Sequence, residues 1–197
     1  MTLSRRDILK SLAVTAVGGS VLRVIPLEAA EYAHRMVQAE KNAAETQQYT
    51  PKFFSPNAYR TLESLCNTII PSDGESKGAV EAGAPEFIDL LTSENSDYQV
   101  ALGGGLMWLN GTCIDRYEAA YLDCTSEQRK EILDQIAYRK NAKHDPSLAQ
   151  GVEFFRFLRK LTADAFFTSE IGITYLGYIG NTYVQDFPGC PPVPERS

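Results

Sequence analysis

Apolar side chains in this chain recur at steps of three and four residues, and no convincing period-2 strand appears. A period near 3.6 sets one helix face against a core, whereas a half-buried strand needs a period of two. The sharpest case is Glu153 to Thr168, where Phe154, Phe155, Phe157, Leu158, Leu161, Ala165 and Phe166 make a wide apolar stripe with Arg156, Arg159 and Lys160 mostly opposite. The pattern predicts an all-α fold, a compact bundle of about six helices without internal repeat. An extended Pro-rich C-terminal tail follows, because Phe187-Pro188-Gly189-Cys190-Pro191-Pro192 cannot be helical.

Local chemistry sets the boundaries. Ser55-Pro56 supplies a hydroxyl cap and a proline at the first helical position, and Tyr59, Leu62, Leu65, Cys66 and Ile69 then mark a buried face up to Pro71. Ser72 to Gly83 reads as a loop, and Pro85 starts a short helix with Phe87, Ile88 and Leu91 inward. A longer helix is predicted from about Asp97 to Tyr121, carrying Val100, Leu106, Leu109, Ile114 and Tyr117. Its Gly103-Gly104-Gly105 run costs about 1 kcal/mol per residue against alanine, so it marks a close backbone approach followed by a helix restart. Thr125-Ser126-Glu127-Gln128 is a capping box for a helix with Ile132, Leu133, Ile136 and Ala137 inside. Lys140–Gln150 reads as a polar loop, and Ser169-Glu170 caps a final short segment through Tyr178.

The amino terminus has a different character. Ser4-Arg5-Arg6-Asp7-Ile8-Leu9-Lys10 followed by the apolar run Ser11 to Leu22 has the layout of a twin-arginine export signal, with Arg5 and Arg6 as its determinants. Ile8 stands where such signals most often have Phe. The apolar run is shorter than the roughly 20 residues that span a bilayer. The expected organisation is a signal segment over 1–27, a weakly packed helical or tether-like leader over 28–50, and an all-α domain over 51–197, with a periplasmic destination.

Charge narrows the partners. Residues 1–27 hold four basic side chains against one acid, so the net charge of −6 leaves −9 on the remainder. A domain that acidic does not suit nucleic acid or anionic lipid, which call for clustered Lys and Arg. Membrane association is therefore expected only through partners.

The four cysteines, Cys66, Cys113, Cys124 and Cys190, lack the Cys-x-x-Cys spacing of common zinc, thioredoxin-like and haem-attachment sites. In an exported chain they are candidates for disulfides of unknown pairing, with free thiols or a bridge to a partner chain as the other readings. On one continuous helix Cys113 and Cys124 would lie about 16 Å apart. That is far beyond the ~7 Å limit for a bridge, so this pair needs a break in the helix.

No active-site pattern emerges. His34 and His144 have no ligand-spaced neighbour and read as solvated. There is no Gly-x-Ser-x-Gly elbow, phosphate loop or dinucleotide fingerprint. Glu81/Glu86 and Asp115/Glu118 have ordinary surface spacing, and Asp164 is placed to pair with Lys160 one turn away. Catalytic, cofactor-binding and metal residues are accordingly assigned as none. What remains is aromatic density near the C-terminus: Phe166, Phe167, Tyr175, Tyr178 and Tyr183 combine core with candidate partner interface.

Several ordered segments resemble the small, or gamma, subunit of gluconate 2-dehydrogenase-like enzymes, known as subunit 3. They are Leu62–Pro71 with its Ile69-Ile70-Pro71 ending, Glu81-Ala82-Gly83-Ala84-Pro85-Glu86-Phe87-Ile88-Asp89, Gly105-Leu106-Met107-Trp108-Leu109, Phe154-Phe155 with Leu158-Arg159 and Leu161-Thr162, and Phe166-Phe167-Thr168-Ser169. The resemblance implies an all-α accessory subunit of an exported GMC-type dehydrogenase acting on a sugar, sugar acid or glycoside. FAD would reside in the large catalytic subunit, and a separate cytochrome subunit is a further expected partner in some assemblies. The small subunit would carry the export signal and help its partner mature. Other readings stay open at this point: a subunit that completes the dehydrogenase active site or electron path, a free-standing oxidoreductase, or an envelope protein unrelated to redox chemistry.

Overall fold

A computed structural model describes residues 25–44, 49–74, 76–178 and 180. Among the described residues eight helices of six residues or more follow one another: α1 Leu27–Ala43, α2 Pro56–Ile69, α3 Ala84–Ser93, α4 Gly104–Tyr117, α5 Ser126–Ile136, α6 Arg139–His144, α7 Ala149–Phe167 and α8 Glu170–Tyr175. Six of them have seven residues or more, and no strand occurs among the described residues. The all-α expectation holds. Arg5, Arg6, Tyr183, Cys190 and the Pro-rich tail lie outside the described residues.

Helix α7 is the axis of the molecule, touching α2, α3, α4, α5, α6 and α8. Phe154, Phe155, Leu158, Leu161, Ala165 and Phe166 are all buried along it, as the stripe predicts. Burial of each large apolar side chain contributes about 1.5–3 kcal/mol. The caps read from sequence are present: the Ser55 hydroxyl accepts from the Ala58 amide at 3.4 Å. Both arms of the Thr125/Gln128 box are made as well.

The glycine run does not stop its helix. Gln99–Gly103 forms one π-helical turn, and α4 continues directly from Gly104. The close approach is made by aromatic rings and not by another backbone, and it is reciprocal. A methyl group on Gly105 would meet the Phe154 ring of α7, and one on Gly151 of α7 would meet the Trp108 indole of α4. Each helix offers a glycine notch to the other's ring. The predicted helix ends early, at Tyr117, where Glu118 takes left-handed backbone angles (φ 56°).

Two expectations are corrected. The leader is well packed: Ala29, Ala30, Ala33 and Val37 are buried, and α1 lies on α3. Its alanines make a flat face that lets the two backbones approach, although it lacks the bulky side chains that signal burial in a sequence. The stretch from Lys140 to Gln150 is largely helical, comprising most of α6, a 3-10 turn at Pro146–Leu148 and the start of α7.

Candidate functional site

The polar groups at the centre of this domain perform structural work. Asp89 is fully buried in α3, inside the apolar run Phe87-Ile88-Asp89-Leu90-Leu91. One carboxylate oxygen accepts from Tyr49 Oη at 2.9 Å and the Lys52 amide at 2.6 Å. The other accepts from the Phe53 and Phe54 amides at 3.1 and 3.0 Å. The extended segment before α2 is thereby clamped to α3. Burial, and then the Asp89 charge, push the Tyr49 phenol well above its usual range. Nearby, Glu86 pairs with Lys41 of α1, and Glu81 accepts from the Gly78 amide at 3.1 Å. On α7, Lys160 and Asp164 form the intrahelical pair expected from their spacing.

His144 is exposed as expected, but His34 is not solvated. Its ring stacks at 4.8 Å on Phe87 and its Nε2 lies 3.0 Å from Thr168 Oγ1. The Thr168 hydroxyl already donates to the Asp164 carbonyl at 2.7 Å, so Nε2 carries the proton and donates to Thr168. Burial lowers its pKa below 6.5, partly opposed by a hydrogen bond with the Ala165 backbone. Histidine at α1 and threonine at the end of α7 are 134 positions apart, a separation no sequence pattern reveals.

Among the described residues no cluster of three His, Cys, Asp or Glu could hold a metal, and no helix is long and apolar enough to cross a membrane. A half-open concavity of about 320 Å³ is lined by Ala137, Tyr138, Arg139, Val152, Arg156 and Arg159. Its guanidinium groups can receive an anion, and Arg156 is already paired with Glu153 at 2.6 Å.

The surface carries the more distinctive features. Of the aromatic residues picked out in the sequence, Phe167, Tyr175 and Tyr178 are exposed and sit with exposed Leu176 around α8. Phe166 is a correction: at 3% exposure it belongs to the core, its ring backing Phe167 at 5.1 Å and Tyr175 at 6.1 Å. The Ser169 hydroxyl caps α8 by accepting from the Gly172 amide at 3.0 Å, which fixes how α8 leaves α7. The result is a ring-bearing face at one end of the bundle.

A second apolar face corrects the sequence reading, which grouped Val100 and Ile114 with Leu106 and Leu109. Val100, Met107 and Ile114 are 77%, 77% and 52% exposed. Met107 and Ile114, seven residues apart, share one side of α4, with Leu106, Leu109 and Cys113 buried on the other, and Val100 lies on the π turn just before it. A simple apolar count could not tell which of the two rows faces inward. This face lies on α4 and the turn before it, and α4 crosses the start of α7, whereas the aromatic face lies at the far end of α7. The 19 residues of α7 put these two ends about 27 Å apart.

Cys66, Cys113 and Cys124 are all buried thiols. Cys66 stands alone against Thr162 of α7, its Sγ 3.6 Å from Thr162 Oγ1. Burial, and then the neighbouring Cys124, raise the pKa of the Cys113 thiol.

The buried Asp89 carboxylate is spent on clamping the segment before α2 to α3, and two apolar faces are turned outward. The chain belongs to the gluconate 2-dehydrogenase subunit 3 family, whose model matches residues 56–189. It is thus an accessory subunit of a dehydrogenase complex, and the assembly includes a catalytic partner. No curated protein and no solved structure matches the chain.

Proposed function

We propose that this chain is the non-catalytic escort of an exported, FAD-dependent GMC-type dehydrogenase that oxidises a sugar, sugar acid or glycoside. The large subunit holds FAD. This subunit clasps it in the cytoplasm, brings it through the twin-arginine route to the periplasm, and keeps it folded there. The observation that carries the reading is the ring-bearing face of Phe167, Tyr175, Leu176 and Tyr178, on a chain whose family is defined by membership of a dehydrogenase complex. Aromatic residues of this kind are the anchors of protein interfaces. The Arg5-Arg6 signal supports the export step, because that pathway transports chains already folded.

The test is to change Arg5 and Arg6 together to lysine in cells producing both subunits. Dehydrogenase activity should then accumulate in the cytoplasm and vanish from the periplasm. Undiminished periplasmic activity would defeat the escort role. Assaying the purified large subunit alone separates this reading from one in which the small subunit completes the active site or electron path: full activity is expected without the escort.

A further inference from the structure

Helix α4 ends one turn after Cys113, at Tyr117, and Glu118 reverses the chain with left-handed backbone angles. The Glu118 amide closes the helix by donating to the Ile114 carbonyl at 2.9 Å. The chain then folds back as a 3-10 turn, Tyr121–Asp123, which packs on α4. The Tyr121 amide donates to Asn110 Oδ1 at 3.0 Å, tying that turn to a residue one helical turn before Cys113. Cys124 follows Tyr121 by three residues, as Cys113 follows Asn110. Both cysteines are buried, with exposures of 0% and 4%; the two thiols are near enough to influence one another, and Cys124 Sγ also donates to the Ala119 carbonyl at 3.7 Å. The backbone break is the condition that a Cys113–Cys124 bridge requires.

From this we propose that Cys113 and Cys124 form the intrachain disulfide of the mature protein, stapling the end of α4 to the turn that precedes α5. Cys66 is engaged elsewhere, its Sγ 3.6 Å from Thr162 Oγ1 of α7. The bond forms by thiol–disulfide exchange with a disulfide oxidoreductase of the receiving compartment. One thiolate attacks the donor's disulfide, giving a mixed disulfide and releasing one donor thiol. The second cysteine thiolate then displaces the other donor sulfur. Two protons leave the cysteines and two electrons reduce the donor, so the step balances. Burial, followed by the neighbouring Cys124, pushes Cys113 up to about 12, so little thiolate is available while the turn is closed. Exchange therefore takes place as the Glu118–Thr125 turn opens or first folds. The inference rests on the proposed export only for where the oxidation happens.

Each of the four cysteines falls in its own tryptic peptide: 61–77, 78–116, 117–129 and 161–196. The full chain is refolded in a glutathione redox buffer without its partner, alkylated, digested without reduction and mapped by mass spectrometry. Peptide 78–116 should be joined to 117–129 and be released by reductant. Finding both peptides alkylated, or either one joined to 61–77 or 161–196, would overturn the assignment. A second readout is thermal. Closing a loop of about a dozen residues should raise the melting midpoint by roughly 5–10 °C over the reduced protein. A variant with Cys113→Ala and Cys124→Ala should melt at the same temperature with and without reductant. An oxidant-dependent shift that persists in this variant would also overturn the assignment. Neither measurement involves transport or the large subunit, so a failure of the escort role leaves both results readable.

Discussion

The ring of Phe154 fills the space a side chain at Gly105 would need: a methyl group there would stand 2.0 Å from its Cδ2. The partner contact between Gly151 and Trp108 is nearly as tight, at 2.2 Å. Replacing Gly105 by alanine should therefore destabilise the fold by about 1–3 kcal/mol through overpacking. Gly111, on the same helix, has open space around it, and alanine there should stabilise by up to ~1 kcal/mol through helix propensity. Urea denaturation of the two variants checks the contrast, because one chemical change gives opposite signs.

Asp89 should be among the least replaceable polar residues. Alanine leaves the Lys52, Phe53 and Phe54 amides and the Tyr49 hydroxyl without their acceptor, and a loss of about 3 kcal/mol or more is expected. Asparagine retains one acceptor oxygen and should lose less. Shifts in urea midpoint at constant m value test both.

His34 makes stability depend on pH below neutrality. Its folded pKa lies below 6.5, so the unfolded chain binds the extra proton first as pH falls. Its contribution is fully present above pH 6.5 and is lost as pH drops through the folded value. Exchange to glutamine, which can still donate to Thr168, should flatten the stability profile as pH falls below about 6.5. An unchanged slope in that variant would show that other groups set it.

The aromatic face can be tested without disturbing the core. Tyr175→Ser combined with Tyr178→Ser should leave the circular dichroism spectrum and melting midpoint nearly unchanged, since both side chains are exposed. Retention of the large subunit in co-purification should fall at least about ten-fold, the size expected when an aromatic anchor is removed. Met107→Glu on the α4 row is the comparison variant. If Met107→Glu abolishes co-purification while the tyrosine pair has no effect, docking belongs to α4 instead.

Much of this architecture is written in short-range chemistry. Ser55-Pro56, the Thr125 box and the stripe of α7 each state a local preference that the tertiary fold keeps. The unreadable parts depend on distant partners. The alanine face of α1 has meaning only once α3 lies against it. His34 acquires its role from Thr168 and Phe87, and Asp89 from a backbone segment 35 to 37 positions earlier. The π turn at Gln99–Gly103 likewise has no composition of its own to announce it. The aromatic cluster was readable as a group, but not which of its rings would turn inward.

The seating of α1 has a mechanical consequence. Because its alanine face is sunk against α3 and Lys41 grips Glu86, traction applied at Ile25 meets the folded body within one helix length. A force acting ahead of Ile25 is therefore passed to the bundle through α1.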